Sequence, residues 1–265
     1  MGKFNSSLTR VQPIFKALYE TDPSGGSWVK SLLDIATRND SLNSAATEIN
    51  LGHFLKPPQF KFPVDPPKSY LKWLIEHPEE LSSPPATAWR IWDERTQAIR
   101  SRFLLGDKEV QSEAISNIER CKSLPKIAWW RLEGVTYVDC ALFTDSTAIF
   151  IGGKRTEIGP SKEVLWYQQR NQIHRNLDCA AAYAQKKRLQ HYFVIAIVDK
   201  DPMERDPIRQ KEYDALMSPD VICRSLPHLN DGELKEITRH YAGVTTWEDI
   251  IERFALGSKI LPSLD

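Results

Sequence analysis

Residues 135–157 read VTYVDCALFTDSTAIFIGGKRTE, and the architecture is worked out from them. β-Branched and aromatic residues fill 135–143 and 147–154, and Thr144-Asp145-Ser146 between them forms a short polar connection. The spacing predicts two adjacent antiparallel strands. Side chains two apart on a strand share a face, so Gly152 and Lys154 point one way and Asp139 aligns with Ala141 on the partner strand. A hairpin folded on this connection brings Asp139 beside the Gly152/Lys154 pair. Taken alone, an acid beside a lysine on a hairpin is an ordinary solvated charge pair.

Downstream, residues 161–188 contain neither proline nor glycine, and Ile173, Leu177, Ala180 and Ala184 recur at helical spacing. This predicts one long helix packed on the sheet. HYFVIAIV at 191–198 is a short continuous apolar run, as expected for a central strand covered on both faces. A charged loop over 199–206 leads to closing helices, the last announced by Thr245 and Glu248 as a capping box. Upstream, the prolines of 57–67 predict an extended arm or linker. A short helix over 68–77 buries Tyr70, Leu71, Trp73, Leu74 and Ile75, and helices over 87–104 and 107–122 flank Gly106. A leading helix and a second one after Trp28 open the chain. The organisation is a mainly helical portion over 1–125 followed by an α/β core over 126–265.

The composition is that of a globular protein, with 41% hydrophobic and 26% charged residues among 265. Thirty-five basic residues balance thirty-five acidic ones, so any grip on a polyanion is a local patch. The four cysteines are far apart, without zinc-finger spacing, and read as buried thiols of a reducing compartment. With no membrane-length apolar run and no signal-like start, a cytoplasmic, membrane-free protein is expected. His174, Asp178 and Cys179 read as a packed helix rather than a cysteine nucleophile, and Lys186-Lys187-Arg188 as cations at a helix end.

IFIGGKRTE (149–157) with WYQQRNQIHRNL (166–177) resembles the PD-(D/E)xK nuclease superfamily. Its core is a hairpin with Asp on one strand and acid-x-Lys on the next, followed by a helix. The resemblance implies a restriction-endonuclease-like α/β fold, a mixed sheet flanked by helices, and a divalent-metal-dependent phosphodiesterase acting on nucleic acid. It implies that Asp139 and the residue at 152 hold Mg²⁺ or Mn²⁺, that Lys154 positions water or phosphate, and that Gln172 supports the site. Gly152 departs from the pattern, since glycine offers no side-chain oxygen. Glu157 and Glu133 are the candidate replacement acids. Arg155, Arg170, Arg175 and Trp166 are candidate nucleic-acid contacts, or else a solvated face with one half-buried tryptophan. The alternative expectation is a catalytically inactive nuclease-like domain that binds nucleic acid or a protein partner.

Overall fold

The computed structural model describes residues 7–36, 57–82, 93–153, 166–200, 215–257 and 260. A mixed sheet of five strands forms the middle layer, in the order β1 (Gln59–Val64), β2 (Thr136–Phe143), β3 (Thr147–Gly153), β4 (His191–Val198) and β5 (Tyr241–Thr246). β2 runs antiparallel to β1 and β3, whereas β3, β4 and β5 are mutually parallel. Parallel neighbours need a crossover rather than a tight turn. Residues 154–190 provide the first, including a helix over Gln172–Lys187, and residues 199–240 the second.

Alternation along the strands splits the apolar residues between two faces. Cys140, Leu142, Ile149, Ile151, Ile195 and Ile197 meet helices α1 (Gln12–Thr21) and α2 (Val29–Ala36) on one face, joined by Trp247 and Ile250. On the other, Ala141, Ala148, Phe150 and Val194 pack against Leu177 and Ala180 of the crossover helix. β4 therefore has no wet side, and its last six residues are buried. A third cluster lies apart from the sheet. It joins α3 (Lys68–Glu76), α4 (Glu94–Leu104) and α5 (Lys108–Arg120) to Trp130, Leu132, Trp166 and Tyr167. Asp93 and Asp107 cap α4 and α5, and Gly106 between them takes φ 81°, a left-handed turn that other residues rarely adopt. The Gln172–Lys187 helix is α6, and α7 (Pro219–Ser225), α8 (Asp231–Thr238) and α9 (Trp247–Arg253) complete the chain.

Several expectations need correction. The proline-rich stretch is not a free arm, because its residues 59–64 form edge strand β1. Pro63 is tolerated there because an edge strand pairs on one side only. The crossover helix starts at Gln172, where the Asn171 side chain accepts the Ile173 N–H at 2.7 Å. Residues 166–170 precede it as a turn, and 161–165 lie outside the described residues. β5 was not anticipated, and the final cap is Thr246, accepting from Asp249 N, rather than Thr245. Trp73 is partly buried in the third cluster, and residues 87–92 lie outside the described residues. Among the described residues no helix is long and apolar enough to cross a membrane.

Candidate functional site

The β2–β3 ladder pairs Cys140 with Ile151, and one step further along the same register Asp139 falls across from Gly152. There the strands part. The Asp139 carboxylate accepts the Gly153 N–H at 2.8 Å, closing the end of the ladder in place of a β2 carbonyl. Asp139 also sits at an irregularity on its other side. Lys61 of β1, which the pairing of Phe60 with Cys140 and Phe62 with Val138 sets across from it, has φ 49°. That left-handed residue switches Phe60 and Phe62 to opposite faces of the sheet. Asp139 remains half-buried at this twist. Lys154, Arg155 and Glu157 lie outside the described residues.

Gly152 and Gly153 face different surroundings. A Cβ on Gly153 would stand 2.6 Å from Val11 Cγ2 and 3.0 Å from the Trp247 ring, in the apolar core. One on Gly152 would stand 3.2 Å from Nδ2 of Asn176, a side chain of α6. Asn176 is 3% exposed, and its Oδ1 is buried without a hydrogen-bond partner. Such an orphan acceptor costs about 1–3 kcal/mol. Gln172, one helical turn earlier, is half-buried.

The remaining candidates gather elsewhere, in a buried charge cluster beneath the first half of α6. Glu133 Oε1 accepts from Arg175 Nε at 3.0 Å, and Arg175 Nη2 also donates to the Gly134 carbonyl at 3.1 Å. Glu133 Oε2 stands 3.0 Å from Arg170 Nε but out of line for a hydrogen bond, so this contact is a charge pair alone. Arg170 Nη2 donates to Asp178 Oδ2 at 2.7 Å, and its guanidinium lies 3.7 Å above the Tyr70 ring. His228 Nε2 lies 3.2 Å from the other Asp178 oxygen. Burial opposes the Arg170 charge, yet Glu133 and Asp178 outweigh it and hold the pKa above its ordinary value. Asp178 is likewise pushed up by burial and pulled down further by Arg170 and His228, ending below the carboxylate norm. Cys179 is fully buried beside them with its thiol pushed up to about 12, which keeps it protonated.

These placements bear directly on the expected roles. The side chains of Arg170 and Glu133 are 0% exposed and that of Arg175 is 2% exposed, so in this conformation neither arginine presents its guanidinium to a phosphate. Glu133 is held by both of them. Trp166 is 5% exposed, with the Arg100 guanidinium 5.1 Å from its ring centre. The structure thus brings Asp139 and position 152 together and gathers Glu133, Arg170 and Arg175 into a separate cluster. Asn176 has no assigned role in the sequence pattern. Its position one turn after Gln172 was the available signal.

For Mg²⁺, which takes hard oxygen donors and commonly binds through one or two carboxylates with waters, the hairpin end offers the Asp139 carboxylate, which already accepts the Gly153 N–H. The Asn176 side chain faces position 152 from α6 with its amide nitrogen, 3.2 Å from where a Cβ would stand. Among the described residues no group of three or more His, Cys, Asp or Glu side chains gathers to hold a metal ion. Comparison with protein-family models, curated proteins and solved structures yields no match for this chain.

Proposed function

We propose that this chain is a PD-(D/E)xK nuclease-like domain with a restriction-endonuclease-like core, a divalent-metal-dependent phosphodiesterase acting on nucleic acid and impaired by Gly152. One observation carries the reading: Asp139 falls across from Gly152 where β2 and β3 part, and α6 then returns the chain to a parallel β4. This is the order of elements that the sequence resemblance implies. Asp139 holds the ion, with Lys154 and Glu157 following β3 in sequence. When bound, Mg²⁺ or Mn²⁺ supplies positive charge to a phosphoryl oxygen and acidifies a bound water. Contact with the nucleic-acid backbone falls to Arg155 and its neighbours, since Arg170 and Arg175 are spent on carboxylates. The natural protein and Asp139→Asn, incubated with labelled single- and double-stranded DNA and RNA in Mn²⁺ or Mg²⁺, test this. Metal-dependent cleavage that Asp139→Asn abolishes supports the reading; its absence on every substrate removes the enzyme.

A second reading is favoured by the fate of Glu133. One of the two acids able to replace the missing carboxylate is locked between arginines, which supports a catalytically inactive domain that binds nucleic acid. Fluorescence anisotropy that shows binding without cleavage, unaffected by chelator and by Asp139→Asn, would select it.

A further inference from the structure

We propose that a groove beside the end of α6 grips a single strand of nucleic acid by its phosphates. The groove, of about 540 Å³, runs from the prolines that precede α3 to the last turn of α6. Four lysines from three separate segments line it: Lys68 at the start of α3, Lys122 just after α5, and Lys186 and Lys187 at the end of α6. Its one acid among the described residues, Asp65, is paired with Arg131 at 2.9 Å. In a chain whose formal charge is zero, positive charge is thereby concentrated on one concave surface. Neither Asp139 and Gly152 nor any member of the buried charge cluster lines it.

Local structure consumes only part of this charge. Lys68 is engaged, since its ammonium donates to the Glu119 and Cys121 carbonyls at the end of α5. The Glu119 carboxylate is taken by Lys72 at 2.6 Å. α6 closes its own last carbonyls, because the left-handed Arg188 lets the N–H groups of Arg188 and Leu189 donate to Gln185 and Ala184. Lys122 and Lys186 are exposed and make no hydrogen bond or ion pair among the described residues, and Lys187 has the Tyr183 ring at 6.0 Å. Two helix ends together carry about one negative charge, against these three ammonium groups. Ammonium groups on flexible stems suit a row of phosphates, which calls for positive charge along a line rather than a fixed fork. The exposed hydroxyls of Ser69 and Ser123 add donors for phosphate oxygens. The concave shape decides against a lipid surface: facing walls do not both meet a flat membrane, and none of the large exposed apolar side chains lines the groove. The inference rests on the nucleic-acid reading above for the identity of the polyanion, and it serves an active or an inactive hairpin end alike.

Fluorescence anisotropy of the full chain with labelled oligothymidylate, in chelator and across a salt series, tests this. The natural protein should bind at low salt, and Lys122→Glu, Lys186→Glu and Lys187→Glu combined should weaken binding about tenfold or more. Neutralising the same three, as Lys122→Gln, Lys186→Gln and Lys187→Gln, should reduce the slope of log affinity against log salt by about 2, at about 0.7 per phosphate contact on a single strand. Reversing three exposed lysines elsewhere, Lys16→Glu, Lys30→Glu and Lys108→Glu, makes the same change in net charge and should leave affinity nearly unchanged at physiological salt, where distant charges are screened. Equal losses in the two charge-reversed proteins, no binding by the natural protein, or a groove that holds phosphatidylserine vesicles and not oligothymidylate would each overturn the proposal. Metal is absent from the titration, so any of these failures leaves the hairpin end to the cleavage assay.

Discussion

Beneath α6 and at the end of the hairpin, two groups of polar residues lie close together in the fold and are treated in opposite ways. Glu133, Arg170, Arg175 and Asp178 form a buried cluster in which two cations face two anions and each carboxylate has a cationic neighbour. At the hairpin end a half-buried aspartate caps a backbone N–H and a buried amide oxygen has no donor at all. Balanced charges taken out of water chiefly fix geometry, because their mutual attraction is consumed in offsetting desolvation. An unsatisfied buried polar atom instead costs its full desolvation. The cluster takes up three of the charged residues that the sequence favours, Glu133, Arg170 and Arg175, and Asp139 stays at the hairpin end.

The largest effect should come from breaking the cluster. Glu133→Gln leaves two buried arginines with only one full carboxylate between them and should destabilise the fold by about 3–5 kcal/mol, read by urea unfolding. Mn²⁺ affinity should be unchanged in the folded fraction, and a loss of affinity would join the two regions functionally.

His174 sharpens the same comparison by pH. Its Nε2 donates to the Leu216 carbonyl at 2.8 Å, and burial, with Arg170 nearby, holds its pKa down to about 4 from the ordinary 6.5. The unfolded chain takes up this proton first as pH falls, so its contribution is intact above about pH 6.5 and is lost as pH drops towards about 4. The total should reach up to about 3 kcal/mol. Chemical denaturation across this range should show a slope that His174→Gln flattens.

The adjacent glycines give the next contrast. Gly153→Ala forces a methyl group onto Val11 and Trp247 and should cost about 1–3 kcal/mol by overpacking, seen as a lowered denaturation midpoint. Gly152→Ala meets the amide of Asn176 at 3.2 Å and the Ile195 carbonyl oxygen at 4.0 Å, and a shift of under about 1 kcal/mol is expected. Equal losses at the two positions would mean that the Asn176 amide yields no more readily than the core around Gly153.

How far the sequence could be read differs element by element. The hairpin and β4 were legible because β-branched runs bounded by polar turns have few alternative uses, and α2 and α3 followed from helical spacing. β1 was hidden by its prolines, which argue against a strand until an edge position removes the need for the N–H. β5 was missed because YAGVTT is short and runs directly into a helix. The start of α6 was misjudged because Trp166 to Arg170 carry no helix breaker, although the chain there turns to fit Trp166 and Tyr167 into the third cluster.

At the site, sequence alone determined that Asp139 and residue 152 would meet, since alternation along two strands and a short connection leave little freedom of register. It also determined that no carboxylate arises at position 152. Only the tertiary structure decided which charges are spent. Glu133 meets Arg170 and Arg175 through contacts far apart in the chain, and whether an arginine faces solvent or a buried carboxylate depends on the bodies packed around α6. The same packing left the buried oxygen of Asn176 without a donor, because burial is a property of the assembled layers and is not encoded by any local pattern.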